Sequence, residues 1–306
     1  MSALKLKNKD EWSMRRRAAL AVAVLVASVP VAAAPAAAQA GTPDPASALK
    51  RRLEPERGVR ISETSRTYFG AASKSSGNGT RISGKVQLSP AGPVATDFTW
   101  WTLSGPKAER PPSERSAPYR VIRVGKGFYD SADRYPGPVP DGKKWVRFPG
   151  KHKGSSGRDM ARDASLQPID VYDPSAVKAM VKRSTSKPVS GGYVYRGSVS
   201  YKELSKVFKG PFINWASGRP ITAKTTGKIS WRLWTDRKGL LKRLVTSDAV
   251  GAGKEPLLKQ TDTRYTAWGF RLVVSAPPAD EVIDEADLLE YIREQNEPIP
   301  TDAGNF

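Results

Sequence analysis

The chain has 306 residues, 39% of them hydrophobic and 26% charged, with a formal net charge of +20. That balance suits a folded chain and excludes a disordered polyelectrolyte or a polytopic membrane protein. The lack of cysteine removes disulfides, thiolate nucleophiles and Cys-ligated metals, and a single histidine, His152, removes any multi-histidine metal site.

Residues 1–40 read as an address. Arg15, Arg16 and Arg17 form a positive start, residues 18–40 carry no charge, and Ala38-Gln39-Ala40 supplies the small-x-small pattern of a cleavage site. Cleavage before Gly41 is expected, with Met14 an alternative start to Met1. The rival reading is a retained membrane anchor, since the uncharged stretch is long enough to span; Pro30 and Pro35 speak against it. Export would place the mature chain in the cell envelope or outside the cell.

A segment at 41–58 then leads into the body. Period-two patterning predicts strands at 59–69 and 80–88, joined through Ser75-Ser-Gly-Asn-Gly79, where Asn78-Gly79 signals a hairpin turn. Further strands are expected at 94–103, 119–124, 128–131 past the Gly125-Lys-Gly127 break, and 145–148. Residues 149–158 read as an exposed basic loop holding His152.

Asp173-Pro174 predicts a helix start with Val177, Met180 and Val181 on one stripe. After a strand at 193–199, Ser200-Tyr-Lys-Glu203 is a capping box opening a helix that faces Leu204, Val207 and Phe208 inward. A hairpin at 228–235 and 240–247, a strand at 263–274 and an acidic helix at 284–294 close the pattern, leaving a tail at 295–306. About nine strands and a few short helices in one run predict a single α+β domain over 59–294. Its sheet is large, curved and antiparallel, a half-barrel with helices on the concave side.

Alternation also assigns faces. Ile229, Trp231 and Leu233 point one way, and Ser230, Arg232 and Trp234 the other; Phe98 and Trp100 oppose Trp101 and Leu103. Tryptophan on both faces predicts that the second face is covered as well, by helices or by a ligand. Acids concentrate after Ala279, nine against one base, so the preceding body is strongly basic. A basic body attracts polyanions.

Three stretches carry a family resemblance: Asp141-Gly-Lys-Lys-Trp-Val-Arg147, Arg196-Gly-Ser-Val-Ser-Tyr-Lys-Glu-Leu204, and Tyr265-Thr-Ala-Trp-Gly269 followed by Val273-Val-Ser-Ala-Pro-Pro-Ala-Asp-Glu-Val282. They resemble the actinobacterial LppX/LprG lipoprotein type, which has the LolA-like fold. The resemblance implies a non-catalytic carrier or sensor that holds acyl chains between sheet and helices, without a cofactor. The lipobox cysteine of that family is missing here, which points to a freely secreted chain.

The expected lining is Phe98, Trp100, Trp231 and Leu233 from strands with Met180 and Phe208 from helices. Arg232 and Lys242 are headgroup candidates. The alternative is a basic envelope protein that binds anionic cell-wall polymer or a membrane surface and has no lipid cavity. Nucleic acid is not expected as a partner, and a monomer is. Catalysis is not expected: no nucleophile elbow, phosphate-cradling loop or dinucleotide fingerprint occurs, and Asp97 and Asp130 are the remaining carboxylate candidates.

Overall fold

Strands dominate because β-branched and aromatic residues alternate with polar ones along most of the chain. The computed structural model describes residues 42–69, 77–103, 117–135, 137–148, 164–207, 212–213, 220–222, 224–250 and 257–296. The strands are β1 (Arg57–Phe69), β2 (Asn78–Ser89), β3 (Gly92–Leu103), β4 (Tyr119–Val124), β5 (Gly127–Ser131), β6 (Trp145–Phe148), β7 (Thr185–Val189), β8 (Gly192–Ser200), β9 (Phe212–Ile213), β10 (Pro220–Ile221), β11 (Lys228–Asp236), β12 (Leu241–Val250), β13 (Leu257–Arg271) and β14 (Val282–Asp284). The helices are α1 (Pro45–Lys50), α2 (Pro174–Val181), α3 (Tyr201–Val207) and α4 (Glu285–Asn296). Residues 41–306 form one compact unit.

Twelve strands join in a single open sheet in the order β14-β6-β5-β4-β3-β2-β1-β13-β12-β11-β8-β7, while β9 and β10 pair separately. All neighbours in the large sheet are antiparallel except β6 and β14, which run parallel. The two long strand pairs β1-β2 and β12-β13 meet at the centre of the sheet through β1 and β13, whose register runs from Arg57 opposite Arg271 to Phe69 opposite Leu257. The free edge at β7 is short, exposed throughout and carries Lys187 and Pro188, devices that discourage edge-to-edge pairing.

The fold class is therefore the one the patterning predicts: one large antiparallel sheet with a few short helices. Four strands and a helix escape it, β9 and β10 being two residues each. β7 and β14 are too short or too polar to show a period, and α1 is a six-residue helix. Its Asp44-Pro45 start repeats the Asp173-Pro174 signature of α2: Asp44 accepts from the backbone N–H of Ala46 at 3.1 Å and of Ser47 at 3.2 Å.

The Asn78-Gly79 pair is not the hairpin tip. Both residues lie inside β2, opposite Thr67 and Arg66, and residues 70–76 between the strands fall outside those described. Gly79 is not in the left-handed region. Glycine is required there because a Cβ would run into the Ser65 carbonyl and crowd the Arg66 side chain at 3.0 Å. The expected turn at residues 236–239 does form, with Gly239 at φ 85° and Asp236 Oδ1 accepting from the N–H of Lys238 at 2.8 Å.

Directly opposite residues share a face, so the register sorts the sheet cleanly. The inner face presents Val59, Ile61, Ile82, Val86, Phe98, Trp231, Leu233 and Leu244, all buried, and one core cluster joins them to Leu49 of α1, Val177 and Met180 of α2 and Leu204 of α3. A second, smaller cluster sits at the β5-β6-β14 end, where Leu288 of α4 is buried against Ala132 and Val146. Ion pairs tie that end together: Arg147 grips Asp284 at 2.5 and 2.6 Å, and Lys144 meets Glu281 at 2.5 Å.

The tryptophan pattern suggested cover by helices or by a ligand, and no described helix packs on the second face. Its aromatic rings are covered by arginines instead. Arg81 lies 5.4 Å from the Trp101 ring centre, Arg243 4.9 Å from Trp234, Arg60 5.1 Å from Phe270 and Arg120 5.5 Å from Trp145. A guanidinium stacks on an aromatic ring and keeps its N–H edge in water, so the ring is shielded without a second layer.

Candidate functional site

The candidate site is the inner face with its thin cover of α1, α2, α3 and the segment 164–172. Strand alternation places Phe98 and Trp100 on β3 and Trp231 and Leu233 on β11, all inward, and the α2 stripe turns Met180 toward them. Phe98, Met180, Trp231 and Leu233 are 3% exposed or less, while Trp100 is half-buried. Phe208 and His152 lie outside the described residues.

The structure brings these residues to one face but not to one spot. Phe98 packs over Gly84, whose missing Cβ would otherwise stand 2.7 Å from the ring. Its group, with Trp100 stacked on Tyr119 at 6.3 Å, occupies the β2-β3-β4 flank. Trp231 lies over Gly197 of β8 on the opposite flank, beneath the end of α2. Between β3 and β11 stand β2, β1, β13 and β12, five strand spacings or roughly 24 Å along the sheet.

A buried polar seam divides the flanks, and the sequence reading missed it. Glu63 of β1 is fully buried; it accepts from Ser165 Oγ at 2.6 Å, from the Leu166 N–H and from Thr263 Oγ1. Gln167 extends the seam, donating to Thr263 Oγ1 at 2.7 Å and accepting from Thr246 Oγ1 at 2.7 Å. These bonds fasten the segment 164–167 onto β1, β12 and β13. Burial raises the Glu63 pKa above the ordinary carboxylate range, and the three donors only partly offset it. The signal was present as polar residues at inward parity, Glu63, Ser65, Thr246, Thr261 and Thr263, but polarity at those positions reads as outward until the register is known.

Among the described residues, four buried donors on this face lack partners: the hydroxyls of Thr235 and Tyr265 and the indoles of Trp100 and Trp231. Trp231 Nε1 and Trp100 Nε1 have no acceptor among the described residues, although both atoms are shut off from solvent. An unmade bond at a buried donor costs about 1–3 kcal/mol. Both indoles lie against the apolar core, so each is poised to donate to an acceptor that the described residues do not supply.

The headgroup candidates lie away from the inner layer. Arg232 is exposed on the outer face, because its neighbours Trp231 and Leu233 take the inward parity. Lys242 is exposed in a bulge: Trp234 pairs with Arg243 and Thr235 with Leu241, leaving Lys242 as the extra residue. Neither faces the inner layer.

The carboxylate candidates also part. Asp97 is on the outer face, held bidentate by Arg120 at 2.7 and 2.9 Å. Asp130 is buried on the inner face, opposite Val121 and paired with Arg134. Burial lifts the Asp130 pKa and the Arg134 charge lowers it again. Two carboxyl groups on opposite faces of one sheet cannot share a substrate as acid and base. No group of three metal-ligating side chains occurs among the described residues, and no described helix is long and apolar enough to cross a membrane.

Open clefts lie elsewhere. One of about 660 Å³ runs beside α4, lined by Tyr129, Arg147, Phe148, Asp284, Asp287 and Leu289, and another of about 310 Å³ sits against Tyr119 and Arg134. Neither includes Phe98, Met180, Trp231 or Leu233.

No family model matches the chain, and no curated protein does. Among solved structures it is similar to a LolA superfamily protein from Nitrosomonas europaea, at 10% identity and a TM-score of 0.31, over 74% of this chain and 94% of that one. A DUF1329 family protein from Desulfovibrio piger matches at 11% identity and a TM-score of 0.23, over 76% of this chain and 92% of that one. The MucA/MucB complex of Pseudomonas aeruginosa matches at 11% identity and a TM-score of 0.20, over 72% of this chain and 94% of the matched one. At these scores the likeness assigns neither family nor function, and the fold stands on its own strand pairing.

Proposed function

We propose that the chain is a non-catalytic binding protein of the LppX/LprG type, exported and freed of its leader, that takes an acyl-chain guest between the inner sheet face and the short helices. The observation that carries this reading is the pair of buried, unpartnered indole N–H groups at Trp100 and Trp231. A guest with a long apolar body and ester or carboxyl oxygens answers both needs of that layer. Its methylenes gain roughly 0.8 kcal/mol each on burial, and its oxygens accept from the indoles.

The cover is built to yield. Its helices α1, α2 and α3 have six, eight and seven residues, too short to be stable apart from the sheet. Four of the expected lining residues are closed over in this state, so entry requires the cover to lift from the face. The segment 164–167, fastened by hydrogen bonds to Glu63 and Thr263, is the part whose release opens the middle of the sheet.

Titration with a brominated long-chain fatty acid, read as tryptophan fluorescence quenching, tests the reading. Saturable quenching is expected, with Trp231→Phe keeping the ring, losing the N–H and weakening binding about two- to tenfold. A Trp231→Phe variant with unaltered affinity, or quenching that never saturates, contradicts it.

A further inference from the structure

The outer face poses a separate question, because its charges are arranged against stability. Arg196 of β8 stands directly opposite Arg232 of β11, and Arg243 of β12 directly opposite Arg264 of β13. Like charges directly opposite on one face destabilise a sheet. Only Arg243 is neutralised, by a bidentate bond to Asp262 at 2.8 and 2.6 Å. Arg196, Arg232 and Arg264 are exposed, with no acid partner among the described residues. Farther along the same face the exposed Arg60 and Arg81 lie over the rings of Phe270 and Trp101. Stacking holds a guanidinium plane in place and leaves its fork of donors facing solvent.

We infer that this face binds a linear polymer carrying phosphate groups along its backbone. The fork of an arginine matches two phosphate oxygens at once, and the face uses arginine almost throughout. The cations spread across β8, β11, β13, β1 and β2, a span that a single small anion does not use and an extended chain does. A bilayer is the less suitable occupant. Docking on lipid draws on buried apolar side chains as well as charge, and the exposed large hydrophobic residues, Val94, Val189, Val273 and Leu289, are not among the outward rows of these strands. This surface is independent of the inner-face guest, and either site can exist without the other.

The test uses the full chain and fluorescently labelled inorganic polyphosphate. Wild type is compared with the variant R81Q/R196Q/R232Q/R264Q and with K178Q/K182Q/K202Q/K206Q, which removes the same charge from exposed lysines of α2 and α3, off this face. The arginine variant is expected to lose at least tenfold in affinity and the lysine variant to lose little. Wild-type affinity is expected to fall on the order of tenfold or more between 50 and 200 mM salt. The arginine variant should melt at the same temperature as wild type or higher, since it relieves like-charge pairs; the single R232Q variant should show a smaller loss in the same direction. Charge-matched poly(glycerol phosphate) and single-stranded DNA identify the source of the phosphate backbone by which binds tighter. Equal losses in the two variants, or tighter binding to polygalacturonate or to phosphatidylglycerol vesicles than to polyphosphate, overturns the inference.

Discussion

Glu63 shows how one side chain can set the behaviour of the cover. Buried among Ser165, Leu166 and Thr263, it carries a pKa raised by desolvation, so the folded state holds its proton at pH values where the unfolded chain has lost it. The folded state then binds more protons than the unfolded one, and stability falls as pH climbs from the ordinary glutamate range through the raised value. Below that range the group exerts no such pull. Glu63→Gln removes the titration while keeping an acceptor for the Leu166 N–H, and the hydroxyls of Ser165 and Thr263 can turn to accept from its amide. Denaturant melts from pH 4 to pH 8 should therefore show the variant gaining on wild type as pH rises. A stability difference that is constant across that range contradicts the assignment.

Among the elements, the clearest local rule is the start of α3. Ser200 Oγ accepts from the Glu203 N–H at 3.1 Å and Glu203 Oε2 accepts from the Ser200 N–H at 3.0 Å, the reciprocal pair read from the sequence. Ser200→Ala should cost about 1 kcal/mol in a thermal melt, and a neutral effect would show that the sheet alone holds the helix. Such elements were legible because each rests on contiguous residues. The strands at 119–124 and 145–148 and the α2 stripe through Val177 and Met180 are of the same kind. What was not legible depends on register. The inward polar seam and the separation of Phe98 from Trp231 by four intervening strands both follow from which strand lies beside which. Position 79 makes the same point in reverse: an Asn-Gly pair with the turn signature is drawn into β2 by its pairing with β1.

At the scale of the whole molecule, the open sheet separates two kinds of surface. The inner side buries apolar residues under short helices at one end and under α4 at the other, with two indole donors left unanswered. The outer side uses arginines both to shield its aromatic rings and to present an uncompensated charge. A twelve-stranded sheet gives enough area for both, and arginine cover explains why tryptophan occurs on each face with no second layer among the described helices. The central claim is that the inner layer is completed by a guest. Native mass spectrometry of the chain purified gently from cells tests it most directly. The account predicts a bound acyl species that disappears on organic extraction, returns on adding lipid, and is lost in part from the Trp231→Phe variant. A single ligand-free mass under the same conditions, unchanged when lipid is supplied, would contradict it.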